Sequence, residues 1–148
     1  YRSRAPIAVD IRGYRWKGSV GGTTRNIGGG CNGGGSLGVA GRFSFGNSVT
    51  YRLTGAQSGA SLAALSLGFP GQRAQFRCGS CSIMLGVRQY PVSIRSGAAS
   101  WRFDLPCDPR FYGAEIDTQY WVAVTNTRPC PTYPFLSVSN IVRSRLVD

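Results

Sequence analysis

No histidine occurs anywhere in the 148 residues, and this absence removes more chemistry than any other feature of the chain. Histidine is the commonest general base near neutral pH and the commonest metal ligand. Ser–His and Cys–His nucleophile pairs are therefore excluded, and cysteine loses its usual partner in a zinc site. Charged residues make up only 16% of the chain, below the usual quarter. Lysine is down to Lys17 alone. No apolar run approaches the roughly 20 residues of a membrane-spanning helix, so no membrane span is expected. Helix-forming sequence is scarce too. Ala60–Leu67 is rich in Ala and Leu, yet it is short and boxed by glycines.

What is present is arginine, glycine and alternation. The formal charge is +11. Arginine carries nearly all of it, spread from Arg2 to Arg145 rather than gathered into a block. Tyr14-Arg15-Trp16-Lys17 and Trp101-Arg102-Phe103 interleave aromatics with cations as single-strand binders do. The same pattern arises on any strand whose aromatics face a core and whose arginines face water, so no nucleic-acid partner is expected. Attraction to an acidic polysaccharide stays open.

The six carboxylates offer no catalytic arrangement. A glycosidase needs two acting together, but Asp104 and Asp108 flank Leu-Pro-Cys and read as strand-end and cap residues. Glu115 and Asp117 share one strand face, where weak calcium binding is the only metal chemistry in view. The glycine run lacks both the GxxxxGK[ST] pattern and a following helix, so it is no phosphate cradle. Neither an enzyme nor a cofactor is expected.

Five cysteines stand at positions 31, 78, 81, 107 and 130. Cys78-Gly-Ser-Cys81 matches the CxxC redox pattern, but that chemistry needs the motif to open a helix. Here Ile83, Leu85 and Val87 alternate like a strand instead. Structural disulfides in an oxidising, extracytoplasmic compartment are the better reading. An odd count leaves one thiol over. The chain starts at Tyr1 rather than Met, which reads as a processed, secreted form.

Strand candidates recur at the short spacing of a sandwich or barrel: 37–45, 48–54, 62–69, 81–87, 92–94, 99–105, 116–124 and 135–146. In the last but one, Tyr120, Val122 and Val124 take one face and Trp121 the other. Asp108–Gly113 reads as one helical turn, with Asp108 as cap and Pro109 at its first position. The expected fold is all-β, an antiparallel sandwich of about seven to nine strands, Ig-like or jelly-roll-like. Three regions are expected: an N-terminal strand arm (1–17), a glycine-rich flexible linker (18–35) and the sandwich (36–148).

The arm carries the functional expectation. Ile7, Val9 and Ile11 alternate with Ala8, Asp10 and Arg12, the period of a half-buried strand. Such a strand either folds back on its own domain or completes a neighbour's.

From Cys31 onward the chain also resembles a small module common at the C-termini of secreted planctomycete and related bacterial proteins. The resemblance is carried by Cys31-Asn32-Gly33-Gly34-Gly35, by the strand pair Phe45–Ala56 and by Ala64–Phe69. Gly79-Ser80-Cys81, the stretch Asp104–Gly113 with Ile116–Trp121, and Ser139-Asn140-Ile141-Val142-Arg143 complete it. It covers about three quarters of the chain and implies a secreted β-sandwich without a catalytic assignment. It also implies a Cys31–Cys81 pair. Cys107 and Cys130 depart from the module's pattern, which a second bridge between them would explain, leaving Cys78 as the odd thiol. The module normally ends a long protein, whereas here it stands behind an arm.

Two functions are therefore expected. In the first, the chain is an extracellular, pilus-like filament subunit, a head-to-tail homo-polymer in which Ile7, Val9, Ile11, Tyr14 and Trp16 plug the next copy. In the second, it is a secreted module that binds glycans or a cell surface through Trp16, Trp101, Trp121, Tyr112 and Tyr133. No Asn-x-Ser/Thr sequon occurs, but Thr23, Thr24, Thr125 and Thr127 offer hydroxyls for O-linked sugars.

Overall fold

The computed structural model describes residues 22–70 and 74–147. The arm, with Ile7, Val9, Ile11, Tyr14 and Trp16, lies outside the described residues, as does the start of the glycine-rich segment.

Short runs of alternating apolar residues, separated by Gly, Pro and Asn, give an all-β chain. Its strands are β1 (Thr24–Gly28), β2 (Gly34–Gly41), β3 (Ser48–Ala56), β4 (Leu62–Gly68), β5 (Ala74–Cys78) and β6 (Cys81–Leu85). Then follow β7 (Arg88–Ser93), β8 (Ala99–Asp104), β9 (Glu115–Ala123), β10 (Leu136–Val138) and β11 (Ile141–Arg145). All strand pairs are antiparallel. The expected turn is a single 3-10 turn at Pro109–Phe111, capped by the Asp108 carboxylate, which accepts from the Arg110 amide at 3.0 Å.

Three layers result. The central sheet runs β1-β11-β9-β4-β7, with β10 joined to the far half of the same β9 edge. The second sheet is β2-β3-β8, and the third layer is the β5–β6 hairpin. Between the two larger sheets lies the main core, with Tyr51, Leu53, Leu65, Tyr120 and Val122 all essentially unexposed. On the other face of the central sheet a smaller core gathers Ile83, Val138 and the four cysteines 31, 78, 81 and 130, with Trp121 packed against it. β9 is thus covered on both faces, which is why Asp117, Thr118, Gln119, Tyr120 and Val122 are all buried.

Two side chains replace backbone pairing where the layers meet. Gln119 accepts from the Met84 amide at 2.8 Å and donates to the Ser82 and Ser139 carbonyls at 2.8 and 2.9 Å. It fastens the hairpin to the central sheet. Asn140 accepts from the Leu37 amide at 2.7 Å and donates to the Leu37 carbonyl at 3.1 Å. That amide group stands in for a strand beside the edge of β2. Both satisfy backbone groups that are costly to leave unbonded.

The glycine-rich segment is not the linker expected for residues 18–35. From Thr24 it is sheet: β1 pairs β11, and β2 begins at Gly34. Composition pointed to flexibility because glycine buries no side chain. Here glycine serves close backbone approach instead. Gly34 lies against the backbone of Val138, with no room for a Cβ. The sheets therefore begin before the expected boundary at residue 36, with β1 already at Thr24. Thr127, expected to be available to sugars, has its hydroxyl buried, while Thr23, Thr24 and Thr125 are exposed.

The Tyr120 hydroxyl donates to the Tyr51 carbonyl at 3.0 Å across the main core. Burial pushes both phenols above their ordinary value. A buried acid with a raised folded value stays protonated after the unfolded chain has ionised, so stability is lost as pH rises above the unfolded value of about 10. With Cys107 blocked, urea-unfolding stability is expected to fall above that pH by about 1.4 kcal/mol per pH unit for each buried tyrosine. Tyr51→Phe should remove about half of the slope. A slope unchanged by the substitution would show that these phenols do not control alkaline unfolding.

Candidate functional site

Strands β4 and β9 carry apolar residues on both faces, so they present a second apolar surface outside the main core. Pairing aligns Trp121 with Ala64 and Pro91 across β9, β4 and β7, and Ala123 with Leu136, while Leu62 lines the same hollow as Ala123. The alanines are small and their neighbours large, which leaves a trough running across the strands. The hairpin covers only part of this face. Its edge strand β6 is already occupied by Gly29, Gln119 and Trp121: the Ser82 amide donates to the Gly29 carbonyl, and the Trp121 indole Nε1–H donates to the Met84 carbonyl at 3.2 Å.

Two hollows remain, sharing Trp121 and Leu136 as their common wall. One, of about 300 Å³, is lined by Phe76, Ile83, Leu85, Trp121, Tyr133 and Leu136. The other, of about 220 Å³, continues over Leu62, Ala64, Pro91 and Ala123 to Phe135. Around them Phe135 is 66% exposed and Leu62 and Tyr133 are each 53% exposed. Scattered surface apolars are ordinary, but a contiguous set rimming a preformed groove marks an interaction site. Trp121, pinned at its nitrogen, gives that groove a rigid floor.

Position matters as much as character. The described chain begins at Gly22, packed on the backbone carbonyls of Phe43 and Arg145. Arg145 pairs with Glu115 at the start of β9, whereas the groove lies over Trp121 and Ala123 at its end. Eight strand residues separate the two, roughly 26 Å at the usual rise. Gly22 and the apolar groove therefore occupy opposite ends of the central sheet.

One cysteine pair is the one the resemblance implied, and the other differs from it. Cys31 joins Cys81, and Cys78, not Cys107, joins Cys130. Cys107 is free and exposed. The reason is topological: the Gly79-Ser80 turn places Cys78 and Cys81 side by side at the hairpin tip, facing two different loops. The CxxC pair is thus two separate anchors that clamp the hairpin over the groove's floor.

The remaining candidates fall mostly into structural settings. Asp117 is fully buried and receives two bonds from Arg143, Nε to Oδ1 at 2.7 Å and Nη2 to Oδ2 at 2.8 Å. Glu115 lies 3.8 Å from the same guanidinium. The two carboxylates do share a face, but an arginine occupies it rather than calcium. The Asp117 bond holds the Arg143 guanidinium above its ordinary value. The Ser48 hydroxyl donates to Asp104 and holds its carboxyl low, and Arg110 does the same for Asp108. Among the described residues no cluster of three or more His, Cys, Asp or Glu side chains is placed to hold a metal.

Of the aromatics expected to bind sugar, Trp101 is stacked on Tyr90 with ring centres 5.0 Å apart, and Tyr112 lies against Phe45 at 6.5 Å. Trp16 lies outside the described residues. Only Trp121 and Tyr133 meet in a groove. Phe76, Leu62 and Phe135 were not singled out in the sequence. The signal for them was the two-sided apolar character of β4 and β9.

The chain matches no protein-family profile, no curated protein and no solved structure. The likeness to the secreted planctomycete module rests on the sequence landmarks alone.

Proposed function

We propose that the protein is a secreted structural subunit that polymerises head to tail, each copy's N-terminal strand completing the next. The observation that carries this reading is the polarity of the domain. Gly22 lies at one end of the central sheet, and among the described residues an apolar groove lies at the other. A donor and an acceptor on opposite ends make a heterologous contact, which propagates as an open filament. The alternating Ile7, Val9 and Ile11 supply the side-chain pattern of an added strand. Two disulfides are compatible with an oxidising compartment. Among the described residues no helix is long and apolar enough to cross a membrane.

Electron microscopy of native material tests this, beside Ile7→Asp/Val9→Asp/Ile11→Asp and a chain lacking residues 1–17. Filaments from the intact chain and monomers from both altered chains are expected. Monomers from all three would overturn the reading and bring forward a glycan- or surface-binding module, which retention on polysaccharide affinity gels would then detect.

A further inference from the structure

We infer that the acceptor for the arm is the outer apolar groove around Trp121, and that its occupant is residues 6–16 of a second copy of this chain. The inference rests on the strand-addition reading above and assigns it a site.

Among the described residues, the outer edges of β2, β6 and β10 are met by Asn140, by Gly29 with Gln119, and by Cys31, while β1, β5, β7 and β8 each have an edge without a neighbouring strand. These edges are not equivalent. All five residues of β1 are exposed, so it offers no apolar pocket. Free residues of β8 include Arg102 and Asp104, bound to one another and to Ser48. β7 carries Pro91, which cannot donate a ladder bond and blunts that edge. β5 borders the hollow around Trp121 through Phe76 and carries no proline there, whereas β7 meets the adjoining hollow only through Pro91.

An extended segment laid there directs every second side chain inward, about 7 Å apart. Two adjoining hollows parted by an indole suit Ile7, Val9 and Ile11, and they leave Ala8, Asp10 and Arg12 toward water. Among the described residues, those lining both hollows are uncharged and offer no cation to repel Arg12. The occupant would also complete the third layer, which the hairpin leaves unfinished over Leu62, Ala64 and Ala123.

Complementation between two full-length variants tests the assignment. One carries Ile7→Asp/Val9→Asp/Ile11→Asp and keeps the groove. The other carries Leu62→Glu/Tyr133→Glu/Phe135→Glu and keeps the arm. All three groove positions are more than half exposed, so the fold is expected to survive, as checked by circular dichroism and thermal unfolding.

Each variant alone should be monomeric in sedimentation, with self-association weakened by roughly 30-fold or more, as expected when central apolar contacts are removed. Mixed together, they should form a one-to-one dimer that does not grow, because each dimer has one intact arm in one intact groove. Filaments from the groove variant with none from the arm variant would place the acceptor elsewhere and overturn this inference alone. Monomers in the mixture would overturn it too. Filaments from both variants, or monomers from the unaltered chain, would overturn the strand-addition reading with it.

Discussion

Arg143→Met is expected to destabilise the domain by about 3–5 kcal/mol, the range for removing one partner of a buried ion pair. Asp117 has no solvent exposure, and the Arg143 side chain is 19% exposed. Arg143 gives the buried carboxylate two charge-assisted bonds, and methionine would keep the length of the side chain while removing both. Glu115, 3.8 Å from the guanidinium, would then add like-charge repulsion. The cost should be largely relieved by a second change, Asp117→Asn, because an amide has no charge to desolvate. Urea denaturation of the two single variants and the double variant would measure the coupling. A single-variant loss below about 1 kcal/mol would mean the pair behaves like an exposed one.

Cys78→Ser/Cys130→Ser should cost up to about 4 kcal/mol by the chain-entropy relation for a loop of this size. The sequence separation is 52 residues, close to the 50 spanned by Cys31–Cys81. Either loss is comparable with much of the stability of an ordinary domain. The damage should be local first. Amide exchange is expected to rise in β5 and β6 before the main core, since the hairpin is held to the sheet by its two bridges and by Gln119. Cys107→Ser, at an exposed free thiol, should change stability by less than about 0.5 kcal/mol. Peptide mapping under non-reducing conditions gives the sharper check. A Cys107–Cys130 peptide in place of Cys78–Cys130 would overturn the arrangement.

If the groove seats the arm, reduction should also block assembly. The hairpin brings Phe76, Ile83 and Leu85 to its wall, so the clamp that stabilises the domain also shapes the acceptor.

Much of the fold was legible in the chain. Alternation in 48–54, 62–69, 99–105 and 116–124 located β3, β4, β8 and β9 within a residue or two, and Asp108-Pro109 announced its own turn. β1 was missed because Thr-Arg-Asn-Ile-Gly has no alternation to read: it is an edge strand with both faces in water. The single final strand expected over 135–146 is split into β10 and β11 at Ser139-Asn140. There side chains replace ladder bonds: Ser139 accepts from the Tyr120 amide and Asn140 turns to Leu37. Several landmarks that suggested the secreted module, Cys81, Gln119 and Asn140 among them, fall on such fastening points.

The candidate site was less legible, and the reason is physical. Trp121 could be placed on the face opposite Tyr120, because period 2 is a local property of an extended chain. What covers that face depends on where a hairpin more than thirty residues away comes to rest, and no local pattern encodes it. Local alternation and composition were enough for the all-β class, most strand positions, the exclusion of histidine-dependent chemistry and the apolar pattern of residues 6–16. The tertiary structure decided which cysteines meet, that the glycine run is sheet, that Asp117 is buried against Arg143, and that the groove lies at the far end from Gly22. Those outcomes rest on long-range register and layer contacts, in which residues tens of positions apart are brought within hydrogen-bonding distance.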